Sequence, residues 1–211
     1  MDQSMLVAGT AVLLRNAPAG MEVLLIRRPD RGSFAGAWVF PGGVLEDSDV
    51  SADASEVDNA ARAAVRETKE EVGLSITALV PLSQWTPPIE APKRVRTWFY
   101  LAPQVQGEIV PAHDEVVGWQ WVRPADALAQ QTRQEIELFP PTWVTLHLLL
   151  GIESVEEALA STSDPEHFHT HILASLEGQT FVWNGDQEHP QGGTGRHRLE
   201  TISRPWRYLR D

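Results

Sequence analysis

Two apolar runs of strand length, MLVAGTAVLL (Met5 to Leu14) and EVLLIRR (Glu22 to Arg28), flank the turn-rich NAPAG and predict a β-hairpin. A polar loop, RPDRGSFAGAW, follows, and then FPGG, Phe40 to Gly43. The acidic stretch LEDSDVSADASEVD reads as an exposed loop, with Ser55 as a helix N-cap and Asp58 as its capping-box partner. From about Glu56 to Val72 the period becomes helical. Val57, Ala61, Ala64, Val65, Thr68 and Val72 fall on one stripe, and Gly73 is a natural C-terminal stop. Strand-like segments ITALVPLSQW, VRTWFYLAP and VVGWQWV come next, the last placing Trp119 and Trp121 on one face. A short helix is predicted from about Pro124 to Gln130. The chain from FPPTWVTLHLLL onward reads as two helices joined at Gly151 and Ile152, then a strand-like end with a turn at WNGD. Strands mixed with helices, and one long helix in the first half, predict an α/β or α+β sandwich.

At 211 residues and 42% hydrophobic content, the chain can bury a sizeable core. The formal charge of −12 argues against nucleic-acid binding, because neutralising phosphates takes clustered Lys and Arg. An acidic protein that handles phosphates needs metal ions to bring them in. The absence of cysteine excludes disulfides, thiolate metal sites and cysteine nucleophiles. No stretch approaches the roughly 20 apolar residues that span a bilayer, and MDQSMLVAGTAVLL lacks a basic leader, so a cytoplasmic protein without membrane contact is expected.

The chemistry concentrates in AVRETKEEVGL, Ala64 to Leu74. At 100° per residue, Glu67, Glu70 and Glu71 lie within an arc of about 100°, and Glu67 and Glu71 are only ~6 Å apart along the axis. Like charges repel at that distance, and the end of a helix is unfavourable to anions. A solvated charged face, partly compensated by Arg66 and Lys69, is one reading. A divalent cation held by hard oxygen ligands, Mg²⁺ or Mn²⁺, is the other.

With FPGGVLE upstream, R-E-T-K-E-E-V-G-L resembles the Nudix hydrolase signature, G-x5-E-x7-R-E-U-x-E-E-x-G-U with U apolar. Arg66, Glu67, Glu70, Glu71, Gly73 and Leu74 match in register, and Thr68 stands at the first apolar position. Asp58, or alternatively Glu56, stands for the first signature glutamate, with an insertion in Leu45 to Ser55 behind Gly43. The resemblance implies an α/β/α sandwich around a mixed sheet as a single domain over 1–211, its core at about 5–135 and a helical and strand extension at about 136–211. It implies hydrolysis of a diphosphate linked to another moiety. Glu67, Glu70 and Glu71 would ligate Mg²⁺ or Mn²⁺, Arg66 would hold a glutamate in place, and a carbonyl at Gly42 or Gly43 would complete a metal site. Glu115, in HDEVVGWQWV, is the candidate general base, with Glu70 or Glu71 as the alternative.

Further segments, RRPDRGSFAGAWVFPGGVLEDSD, WTPPIEAPKRVRTWFYLAP and LFPPTW, resemble the acyl-CoA diphosphatase branch of that family. On that resemblance Lys93, Arg94 and Arg96 would bind the 3′-phosphate of CoA, and Trp85 or Trp98 would stack on adenine. A basic strand edge with tryptophans in the core is the competing reading. ADP-ribose, a nucleoside diphosphate sugar or a dinucleotide polyphosphate are alternative substrates, and a non-catalytic nucleotide-binding module is the alternative class. His167, His169 and His171 alternate, so on one strand they would share a face, as a zinc site or as exposed histidines. The FPPTW helix and the segment after it either cover the pocket or form a homodimer surface. Nothing resembles a nucleophile elbow, a P-loop or a dinucleotide fingerprint.

Overall fold

A computed structural model describes residues 5–32 and 34–211. In chain order, β1 (Leu6–Ala17), β2 (Gly20–Arg27), β3 (Trp38–Val39) and β4 (Gly42–Val44) precede α1 (Glu56–Val72), with a 3-10 turn at Asp47–Asp49 between. Strands β5 (Ser75–Ile76), β6 (Val80–Thr86), β7 (Val95–Ala102), β8 (Val105–Gln106) and β9 (Gly118–Val122) follow. Helices α2 (Pro124–Thr132), α3 (Pro140–Leu148) and α4 (Val155–Ala160) come next. The chain finishes in β10 (Glu166–His169), β11 (His171–Ser175), β12 (Gly178–Val182), β13 (Gly185–Asp186), β14 (Gly193–Gly195), β15 (His197–Glu200) and β16 (Arg207–Arg210).

Strands β1 and β2 form the expected hairpin around Pro18 and Ala19, antiparallel as far as the pair Leu14 and Val23. Beyond that pair they part. β4 takes the place beside Ala8 to Thr10 of β1, while β3 and β9 pair with the far half of β2. On its other side β1 runs parallel to β7, which is antiparallel to β6, which is parallel to β10. The result is a mixed eight-stranded sheet. A second, antiparallel sheet in the order β11-β12-β15-β16 closes the C-terminal part.

Strand alternation divides the main sheet into two apolar faces. Val12, Leu14, Val23, Leu25, Phe99 and Leu101 pack with residues of α3 and of the C-terminal part of the chain, among them Trp143, Phe168, Trp183 and Leu199. Ala11, Leu13, Leu24, Ile26, Trp98 and Tyr100 pack with Ala60, Ala64 and Val72 of α1. This is the α/β sandwich expected. Among the described residues no helix is long and apolar enough to cross a membrane.

The bounds of α1 follow from its caps: Ser55 Oγ accepts the Asp58 N–H at 3.2 Å, and Gly73 ends the helix at φ 74°. Its buried stripe is shifted from the one expected. Val65 is exposed, and Ala60, Ala63 and Glu71 are buried instead. The cause is close approach to β1, because a Cβ at Gly9 would overlap the Ala60 carbonyl. Ala60 and Ala64 stand where the helix lies nearest the strand.

The single strand expected across EHFHTHIL is two strands. β10 joins the main sheet and β11 the second, with the Thr170 N–H bound to the Thr86 carbonyl at 3.0 Å where the chain crosses over. His171 therefore lies in a different sheet from His167 and His169.

Candidate active site

Three segments converge at the C-terminal half of α1. The Gly42–Gly43 turn of β4 lies against it: the Gly42 N–H donates to Glu71 Oε2 at 2.9 Å, and a Cβ on Gly43 would overlap the Glu67 carboxylate. The loop before β9 is tied to the end of the helix by two backbone bonds of 2.9 Å, Val110 N–H to Val72 and Ala112 N–H to Glu71. That loop delivers Glu115, and one carboxylate oxygen from each of Glu67, Glu71 and Glu115 lies within 4.8 Å of the others. The third segment is the end of β2, where Arg28 donates to Glu71 Oε1 and lies 3.7 Å from Glu115 Oε2.

Charge is distributed unevenly among these groups. Arg66 donates to Glu67 at 2.9 Å, to Glu70 at 2.8 Å, to the Val44 carbonyl at 3.0 Å and to Asp49 at 2.9 Å. Burial pushes the Asp49 carboxyl up, but hydrogen bonds from Arg66 and the Glu46 N–H, with the Arg66 and Arg62 charges, bring it below the usual carboxylate range. The Asp49 hydrogen bond comes first among the causes that raise the Arg66 guanidinium pKa. Glu67 is shifted the other way, upward, because burial outweighs what Arg66 returns. Glu71, only 1% exposed, is pushed up to about 7: burial raises it, and the Arg28 charge and Gly42 N–H compensate only in part.

The sequence matches the NUDIX domain family over residues 5–143. The chain belongs to the Nudix family. The fold is similar to that of a NUDIX hydrolase from Alicyclobacillus acidocaldarius, at 23% identity and TM-score 0.67, over 77% of this chain and 99% of that one. A MutT NUDIX hydrolase from Burkholderia pseudomallei is similar at 24% identity and TM-score 0.51, over 69% of this chain and 98% of that one. The NUDIX domain of Shewanella oneidensis NrtR, solved in complex with ADP ribose, is similar at 20% identity and TM-score 0.52, over 75% and 88%. Among curated proteins the chain has no match. As a Nudix pyrophosphohydrolase it acts on nucleoside-diphosphate-linked substrates.

Nudix hydrolases generally use divalent metal ions. The residues present fit one, since the Glu67, Glu71 and Glu115 donors are all carboxylate oxygens and two of them are shifted toward protonation by burial. Glu70, expected beside Glu67 and Glu71, stands apart. Its side chain is 58% exposed and turned to Arg66, and Glu115 occupies the third place in the group.

The expected base-stacking residue Trp85 is a core residue. It is 4% exposed, stacked on Phe168 with ring centroids 3.9 Å apart, and its indole N–H donates to Ser83. Trp98 is also buried, donating to Glu56 at 2.8 Å. Arg96 is paired with Glu56, Arg94 is half-buried and Lys93 is exposed in the loop before β7. Glu56 lies eleven residues before Glu67, about 16 Å along the helix, so Arg96 stands far from the carboxylate group. Neither Glu56 nor Asp58 joins the group: Asp58 caps the helix and Glu56 serves the sheet. Among the described residues no histidine takes part in a metal-holding group.

Two residues of the site escaped the sequence reading. Asp49 lies in the insertion, where acidity alone marked an exposed loop. Arg28 had a weak signal, since it continues the β2 alternation of Leu24 and Ile26, the face that meets α1.

Proposed function

We infer that the chain hydrolyses the diphosphate bond of a nucleotide-type substrate with Mg²⁺ or Mn²⁺ at Glu67, Glu71 and Glu115, and that CoA or an acyl-CoA is that substrate. The observation that carries the reaction is the gathering of those three carboxylates, from α1 and the loop facing it, within 4.8 Å. A divalent ion bound there supplies Lewis acidity, lowering the pKa of water and neutralising phosphoryl charge. The chain's own residues supply the rest. Arg66, anchored on Asp49, fixes the direction of Glu67, and Glu70 belongs to that bracing. The Gly42 N–H and Arg28 fix Glu71. The Gly43 carbonyl is the further oxygen assigned to the metal site. Glu115, with a side chain 53% exposed, would give one carboxylate oxygen to the ion and keep the other, open to solvent, to take the proton of the attacking water, as the base in this reading.

The CoA assignment rests on the resemblance of the Arg27 to Trp143 segments to acyl-CoA diphosphatases, not on the basic cluster. ADP-ribose is the second reading, favoured by the ADP-ribose complex of the similar NrtR domain. Both are tested by analysing products from CoA, acetyl-CoA, ADP-ribose, NADH, diadenosine polyphosphates and nucleotide sugars with Mg²⁺ or Mn²⁺, beside a Glu71→Gln control. Adenosine 3′,5′-bisphosphate from CoA, absent in the control, supports the first reading. AMP from ADP-ribose with intact CoA replaces it by the second. Intact substrates throughout contradict both.

A further inference from the structure

Arg66 and Arg28 both touch the metal-holding carboxylates, but they are held very differently. The Arg66 guanidinium has partners outside the group, in Asp49 and the Val44 carbonyl, that keep it in place whatever happens to Glu67. Among the described residues, the Arg28 guanidinium touches only Glu71 and Glu115, two of the three carboxylates that would hold the ion. Its backbone is fixed: the Arg28 N–H donates to Ala37 at 2.9 Å, and the neighbouring Arg27 carbonyl accepts from Val117 at 3.0 Å. Any rearrangement of Arg28 is therefore one of its side chain.

Both oxygens of Glu71 are already engaged. Oε2 accepts the Gly42 N–H at 2.9 Å, Oε1 accepts from Arg28, and the side chain is buried. An ion taking Oε1 must share it with a positive guanidinium, and like charges a few ångströms apart in a partly buried site repel strongly. We propose that Arg28 competes with the metal for Glu71 and Glu115 in the substrate-free protein, and on metal binding swings to the diphosphate of the substrate. This deepens the proposed function and rests on it. A substrate diphosphate held by the ion would bring phosphate oxygens to the place that Arg28 leaves, and a planar guanidinium suits bidentate contact with them. The same cation thus keeps the carboxylates together before the ion arrives and clamps the substrate afterwards.

The test is Mn²⁺ titration of the substrate-free protein followed by electron paramagnetic resonance, at pH 8.5 so that carboxylate protonation does not intervene. Arg28→Gln is expected to bind Mn²⁺ about tenfold more tightly than wild type, a change the size of those caused by groups behind metal ligands. Its KM for CoA, or for ADP-ribose if that is the one wild type cleaves, should rise at least as much. Arg28→Lys, which keeps the charge and loses the fork, should bind Mn²⁺ like wild type and still show the raised KM. A folded Arg28→Gln with unchanged or weaker Mn²⁺ affinity overturns the proposal while leaving the metal site intact. If that variant does not fold, side-chain NMR of wild-type Arg28 decides: its Nε–H resonance should move on Mg²⁺ addition, and an unmoved resonance overturns the proposal. Wild type that takes up no Mn²⁺ overturns the proposed function, and the role of Arg28 with it.

Discussion

At the first turn of α1, Glu56 accepts from Trp98 at 2.8 Å and Gln84 at 3.2 Å and pairs with Arg96; at the last two turns, Glu67, Glu70, Glu71 and Glu115 share Arg66 and Arg28. Arg66 also serves Asp49. The residue types are the same and the charge balance is not. Glu56 meets its own cation and two neutral donors from the sheet beneath, an arrangement that fastens the helix to β6 and β7. The other end carries more negative charge than its guanidiniums match, and burial shifts Glu67 and Glu71 toward protonation. Such crowding is costly to the fold alone and makes sense where another cation joins it. A single glutamate in a helix says little; its electrostatic surroundings separate fastening from chemistry.

The contrast is broken most severely by neutralising one carboxylate at each end. Glu71→Gln should reduce turnover by more than the roughly 10- to 100-fold that residues behind a metal ligand typically control. Glu56→Gln should leave kcat within about threefold and lower the melting temperature instead, as loss of a charged hydrogen-bond acceptor does. Steady-state kinetics and calorimetry on the two variants check both. A smaller effect is expected from Asp49→Asn, which removes the anchor of Arg66 without touching the three carboxylates. Turnover should fall by about 10- to 100-fold with the fold intact.

Next comes pH. Between the usual carboxylate pKa and about 7, the folded metal-free protein keeps a proton on Glu71 that the unfolded chain has released. Stability of the metal-free protein should therefore fall as pH rises through that window, and Glu71→Gln should flatten the dependence. Metal binding in the same window should release a proton, so that affinity climbs with pH and levels off above about 7. Chemical denaturation and metal titration at pH 5 to 8.5 measure the two trends. The smallest effect is that of Arg96→Ala, expected to cost about 1 to 2 kcal/mol of stability. Turnover of CoA and of 3′-dephospho-CoA should change alike, because Arg96 is spent on Glu56.

The legible parts of the molecule were those encoded locally. Ser55, Asp58 and Gly73 mark the ends of α1 without reference to anything distant, and the spacing of Glu67, Glu70 and Glu71 reveals a carboxylate cluster by itself. Glu115 was legible through a family resemblance, with its role left open. What local pattern could not say is which partner each residue meets. Arg28 reaches Glu71 across 43 positions and Asp49 reaches Arg66 across 17, contacts that exist only once β2, the insertion and α1 are assembled. Whether Trp85 stacks on a base or lies in the core is not decided by its neighbours in sequence; Phe168 and Trp183, from the last third of the chain, cover it. The three histidines misled for the same reason, since one-residue alternation implies one face only while the strand stays in one sheet.

The central claim is that the C-terminal end of α1, with Glu115, is a divalent-cation site, whereas its N-terminal end is a fastening. Mn²⁺ titration of wild type, Glu71→Gln, Glu115→Gln and Glu56→Gln by electron paramagnetic resonance tests it most directly. The account predicts saturable binding by wild type and Glu56→Gln, and binding weakened by at least about tenfold in the other two. Equal affinity in all four proteins would contradict it.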